Sequence, residues 1–168
     1  MNERVLFVDD EPQLLEAIQR TLRKQVDLQT AGGGEEGLRV LREEGPFALV
    51  VSDMRMPVMN GAQFLGKVRE QAPDTVRVIL SGQADFQATI AAVNEGHIYR
   101  FLSKPCPFDQ LLAAVHDGLN QHRLVTAGQM LCKRGFEVAS KVSQSPYIGV
   151  ARSITTLGDP PHFVSKCG

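Results

Sequence analysis

At 168 residues, 43% of them hydrophobic, the chain has room for one domain with a sizeable core and an extension. A net charge of −1 excludes attachment to nucleic acid or membrane by bulk electrostatics, and no apolar run is long enough to span a bilayer. Cys106, Cys132 and Cys167 are odd in number and have no Cys or His at metal-ligand spacing, which excludes a zinc cluster and points to free thiols in a reducing cytosol.

Arg4, Asp9 and Asp10 interrupt the N-terminal apolar stretch, so no signal peptide is read and a soluble cytoplasmic protein is predicted. The average charge hides an asymmetry. Residues 1 to 124 hold 13 Lys and Arg against 17 Asp and Glu, whereas residues 125 to 168 hold 5 against 2.

The first predicted strand, Arg4-Val-Leu-Phe-Val8, runs into Asp9-Asp10. Glu11 to Lys24 carries Leu14, Leu15, Ile18 and Leu22 on one helical stripe, which predicts packing on a sheet. Val26 to Thr30 alternates as a short strand, and Ala31-Gly-Gly-Gly34 turns into a second helix with Leu38 and Leu41 inward, broken at Gly45-Pro46. Ala48-Leu-Val-Val-Ser-Asp53 follows, an apolar run without helical spacing that reads as a strand buried on both faces and ends at one carboxylate. Met54 to Gly61 reads as a loop, and Phe64, Leu65 and Val68 mark a third helix.

Val76 to Leu80 is a fourth strand ending at Ser81-Gly82. Gln83 to Glu95 predicts an Ala-rich helix whose large aliphatic residues are Ile90 and Val93, a weak anchor. Ile98 to Leu102 is a fifth strand before Ser103-Lys104-Pro105, and Phe108 to Leu124 a last helix with Leu111, Leu112, Val115 and Leu119. Five βα units in regular alternation demand an α/β fold, a doubly wound parallel sheet with helices on both faces. The domain boundary falls near residue 124. Val125 to Glu137 continues the helix for a few turns at most, with Gly128 and Gly135 against it, and the Ser-, Gly- and Pro-rich remainder to Gly168 reads as a poorly ordered tail without an output domain, helix-turn-helix or basic stripe.

In an open parallel sheet the carboxyl ends of the strands share one edge, where ligands bind. Asp9, Asp10, Asp53, Ser81 and Lys104 all fall at such ends. Carboxylates within about 4 Å repel by roughly 1 to 4 kcal/mol per pair, so they stay ionised together only beside a cation. Mg²⁺ is favoured because it takes one or two carboxylates and keeps several waters and phosphate oxygens. The reading assigns Asp10 and Asp53 as direct ligands, Asp9 through water, and the backbone carbonyl of Arg55 as a further oxygen. Such a site suits phosphoryl transfer, with Asp53 as a nucleophile that forms an aspartyl-phosphate, Lys104 as a compact positive charge, and the Ser81 hydroxyl and Gly82 amide as donors. No residue reads as a base for rapid turnover, so the covalent state persists as a signal.

Val8-Asp9-Asp10-Glu11-Pro12, Ser52-Asp53-Met54-Arg-Met-Pro57 with Gly61, Leu80-Ser81-Gly82 and Phe101-Leu-Ser-Lys104-Pro105 resemble the receiver domain of two-component response regulators over residues 3 to 124. The resemblance implies a flavodoxin-like sheet of order 2-1-3-4-5 and an acid pair at Asp9 and Asp10. It also implies phosphorylation of Asp53 by a sensor histidine kinase, a phosphate-binding Lys104 beside a cis peptide bond, and a switch pair at Ser81 and Phe101. Within the family, Asn94 to Pro105 looks most like receivers of HD-GYP-type regulators, although 44 residues after position 124 cannot hold such a domain. The expected output is a signalling domain, self-phosphorylating and slowly self-dephosphorylating at most. It would bind a downstream protein through the surface of the 83–95 helix, fifth strand and last helix, with a homodimer through the last helices as a possibility.

Competing readings fit the same residues. Asp9 and Asp10 fit an N-cap of the first helix. A metal-dependent phosphatase with Asp53 as covalent nucleophile wants a second aspartate two residues on, where Arg55 stands. A pseudo-receiver that binds partners without phosphate is the third.

Overall fold

The computed structural model of the chain describes residues 3–82 and 98–143, with side chains through 134. Five strands, β1 (Val5–Val8), β2 (Leu28–Ala31), β3 (Leu49–Asp53), β4 (Val76–Ser81) and β5 (Arg100–Ser103), form one parallel sheet of order β2-β1-β3-β4-β5. The helices are α1 (Pro12–Leu22), α2 (Gly34–Glu44), α3 (Gly61–Gln71) and α4 (Phe108–Ser143). The predicted sheet and its order are therefore those observed. The helix expected over Gln83 to Glu95, and the tail beyond Ser143, lie outside the described residues.

The period-2 geometry of a strand explains why the central strands read as unbroken apolar runs. Successive side chains point to opposite faces, and here both faces are covered. On β1, Leu6 and Val8 join one cluster with Leu38 and Leu41 of α2 and Phe64, Leu65 and Val68 of α3. Val5 and Phe7 join the opposite one with Ile18 and Leu22 of α1 and Leu111, Val115 and Leu119 of α4. β3 divides the same way, Val50 to the first cluster and Leu49 and Val51 to the second. Gly37 lets α2 approach α3, since a Cβ there would stand 2.9 Å from the Phe64 ring. At the amino end of the sheet Arg4 lies over the Phe47 ring at 4.9 Å and pairs with Asp27 and Glu44.

Predicted and observed bounds differ by one residue at an end of β1, β3 and β4 and by up to two residues in the other two strands. The strand read at Val26 to Thr30 is Leu28–Ala31, and the one read at Ile98 to Leu102 is Arg100–Ser103. The last helix runs to Ser143, through Gly128 and Gly135. Glycine costs about 1 kcal/mol in a helix interior, but each residue added to an existing helix gains one backbone hydrogen bond without a new nucleus. The chain divides into two units, the first ending at Ala127 and the second starting at Gly128. In the second, Leu131 is exposed, as is Met130. No described helix is long and apolar enough to cross a membrane.

Phe64 is fully buried between β1 and α2, whereas Met130 is exposed. Phe64→Ala is expected to lower unfolding stability by about 3–5 kcal/mol and Met130→Ala to change it by about 0.5 kcal/mol or less, as read from urea unfolding midpoints.

Candidate functional site

The carboxyl edge of the sheet is where the strands hand over to polar residues. Val8 pairs with Ser52, Asp53 with Leu80 and Ser81 with Ser103, so the residues just past each strand lie side by side. Three backbone bonds extend the ladder beyond the strands: Asp9 N–H to Ala31 C=O, Met54 N–H to Leu80 C=O and Lys104 N–H to Ser81 C=O at 2.7 Å. The peptide bond from Lys104 to Pro105 is cis.

This edge brings Asp9, Asp53 and Lys104 into one cluster. The Lys104 Nζ donates to Asp9 Oδ2 at 2.8 Å and pairs with Asp53 Oδ1 at 2.6 Å. Each carboxylate has its second oxygen held by the backbone, Asp9 Oδ1 accepting from the Glu11 amide at 2.9 Å and Asp53 Oδ2 from the Arg55 amide at 2.7 Å. Both acids are buried. The buried Ser52 hydroxyl donates to the Asp53 carbonyl oxygen at 2.9 Å. The loop after β3 closes back on that residue: a Cβ on Gly61 would overlap the Asp53 carbonyl oxygen, so glycine is required for the approach. Asn60 then caps α3 through a reciprocal pair with Gln63.

Burial pushes the Asp53 carboxyl above the usual carboxylate range, and the Lys104 bond and charge only partly oppose it. Burial also disfavours the Lys104 ammonium, but the hydrogen bonds and charges of Asp53 and Asp9 together outweigh it and raise that group. The two directions agree on one picture. A cation stays firmly protonated between two acids, one of which carries a desolvation penalty that Lys104 and the Arg55 amide do not cancel.

Asp10 is exposed, one residue from this cluster. Ser81 is buried, with its hydroxyl donating to the Gly82 carbonyl at 3.2 Å. Phe101 is 37% exposed on β5. The capping reading of the acid pair is not realised, because the α1 N-cap is Glu11 and no side chain caps that helix. The Glu11 and Arg55 amides and the Ser52 hydroxyl were missed by the sequence reading. Backbone donors leave no side-chain signal, and Ser52 reads as one more small residue in a buried strand.

Among the described residues no three His, Cys, Asp or Glu groups are arranged to hold a metal ion. The donor chemistry nevertheless fits a hard divalent cation: Asp9 and Asp53 are oxygen donors that already share one positive charge.

The response regulator receiver domain model matches residues 5–116. The hydrogenase transcriptional regulatory protein HoxA of Bradyrhizobium diazoefficiens is 38% identical over 120 residues, 71% of this chain and 24% of that protein. The chain thus spans about a quarter of the length of such curated relatives. A solved adenylate cyclase chain from Rhodopirellula baltica is 38% identical with a TM-score of 0.76, covering 79% of this chain and 98% of that one. The signal receiver domain of an HD domain-containing protein from Pseudomonas fluorescens Pf-5 is 31% identical with a TM-score of 0.69, covering 73% and 98%. With that match across the whole sheet, and its acids and lysine gathered at the carboxyl edge, the chain belongs to the response regulator receiver domain family.

Proposed function

We propose that this receiver takes a phosphoryl group from a sensor histidine kinase onto Asp53 in the cytoplasm, with Mg²⁺, and signals by changing the partners it binds. The observation that carries the reading is the single ammonium of Lys104 shared by Asp9 and Asp53 at the ligand edge of the sheet. Asp10, Asp53 and the Arg55 carbonyl would hold the metal, with Asp9 reached through water. When bound, Mg²⁺ supplies positive charge against the clustered acids and the phosphoryl oxygens.

The chain's own residues do the rest. The Arg55 amide holds Asp53 Oδ2 in place, which leaves Oδ1 on the side of Lys104 to attack phosphorus. As the phosphorus–nitrogen bond to the donor histidine breaks and the bond to Oδ1 forms, Lys104 turns from the carboxylate to the phosphoryl oxygens. Burial of Asp53 limits access of water, and turnover is slow. Ser81 gains a phosphoryl oxygen as acceptor, and Phe101 turns inward to the space it leaves, which reshapes the surface of β5 and α4 for a downstream protein. The phosphatase reading has no support, since the position two residues after Asp53 is the exposed Arg55.

Incubation with Mg²⁺ and acetyl phosphate is expected to add one phosphate by intact mass, and none to Asp53→Asn or in the presence of EDTA. A phosphate on Asp53→Asn would overturn the assignment. Ser81→Ala is expected to accept phosphate while the Phe101 ring signals in NMR no longer move with it; an undiminished movement would dissociate the two residues.

Stability also tests the site. An acid whose native pKa lies above its unfolded value binds its proton more tightly when folded, so its contribution to stability falls as pH rises through that native value. Asp53→Asn is therefore expected to be more stable than the parent at pH 7 in urea unfolding, and the gain to shrink as the pH is lowered toward 4. A less stable Asp53→Asn at pH 7 would show that the Lys104 pair outweighs burial.

A further inference from the structure

The loop from Met54 to Asn60 holds a feature that the phosphoryl chemistry does not use. Val58 has φ +67°, and the Met59 amide donates to the Pro57 carbonyl at 2.7 Å, which makes Val58 the centre of a γ-turn. Turns of this hand are rare and strained, and a β-branched residue is the least suited to them. The turn is held from both sides, because Met56 and Met59 are buried in the core cluster that contains Phe64 and Val68. Pro57 and Val58 are forced outward between these two anchors. Val58 is 88% exposed, more than any other large apolar side chain described.

From this we infer that Val58 is an apolar contact point for the protein that donates the phosphoryl group, and so a determinant of which donor is accepted. The inference rests on the proposed phosphorylation of Asp53. A phosphohistidine on a protein surface reaches Asp53 only if that surface covers the rim around it. The Arg55 amide is bonded to the Asp53 carboxylate and Val58 lies three residues further, so its Cα is within about 11 Å of the Arg55 Cα. A protein interface of standard size covers about 800 Å² per partner, a disc of about 16 Å radius, and a donor centred on Asp53 covers Val58 as well. A valine fixed on a rigid turn presents apolar area with little rotamer entropy left to lose on binding. A small phosphodonor such as acetyl phosphate enters the site without making that contact.

Val58→Asn removes the apolar contact and accepts positive φ more easily, so it is expected to melt at or above the parent temperature. Val58→Ile keeps the contact. The probes are acetyl phosphate and the autophosphorylated cytoplasmic regions of the histidine kinases encoded in the genome of origin, screened as a panel. With the kinase that phosphorylates the parent fastest, Val58→Asn is expected to raise KM for the receiver about tenfold and Val58→Ile to stay within about twofold, a tenfold change being 1.4 kcal/mol. With acetyl phosphate all three are expected to react within about twofold of one another. Parental kinase kinetics in Val58→Asn, or equal slowing with both donors, would overturn the inference. A parent that accepts phosphate from neither donor would instead overturn the proposed function.

Discussion

One ammonium between two buried carboxylates is the interaction on which the carboxyl edge depends. Without Lys104, Asp9 and Asp53 would face each other in a region where water screens poorly, and the pair would repel by several kcal/mol. The lysine does not complete the balance, because two acids share one cation. The edge keeps a residual negative charge, which supports the proposed divalent ion.

The rest of the fold places that cluster. Asp9 follows β1 and Asp53 ends β3, neighbouring strands in fixed register, and the strands are fixed because each face of the sheet is covered by a separate apolar cluster. A slip of one residue would exchange Leu6 and Val8 for Val5 and Phe7 between clusters and would turn Asp9 away from Lys104. Core packing and site geometry are therefore one constraint. The Lys104 amide bonded to the Ser81 carbonyl carries this constraint across to the fifth strand.

The sheet was legible in the sequence because strands buried on both faces leave continuous apolar runs, and each run here ends on a polar residue. β2, at the sheet edge and only half-buried, gave a blurred signal, and its bounds shifted by up to two residues. The site was legible as a set of residue types at strand ends. What could not be read was which of Asp9 and Asp10 is buried. The sequence reading assigns the two different roles toward a metal, but only the turn into α1 shows that the first is buried against Lys104 and the second exposed. Nor could the chain past Leu124 be read as one long helix, since Gly128 and Gly135 are breakers by propensity and only their position within an established helix overrides that.

The same arrangement would limit how strongly the proposed phosphorylation switches the domain. Lys104 already donates to two carboxylates before any phosphate arrives, so its bond to a phosphoryl oxygen replaces an existing one and contributes little difference between states. The differential then rests mainly on Ser81. A hydrogen bond to a charged acceptor contributes about 1.5–3 kcal/mol, a factor of about 10 to 150. Applied to an equilibrium of 1:99, that factor gives between about 1:8 and 3:2, well short of the roughly 5.5 kcal/mol needed for full inversion. In the proposed switch, therefore, phosphate alone leaves the two packings mixed, and the binding energy of the downstream partner must complete the shift.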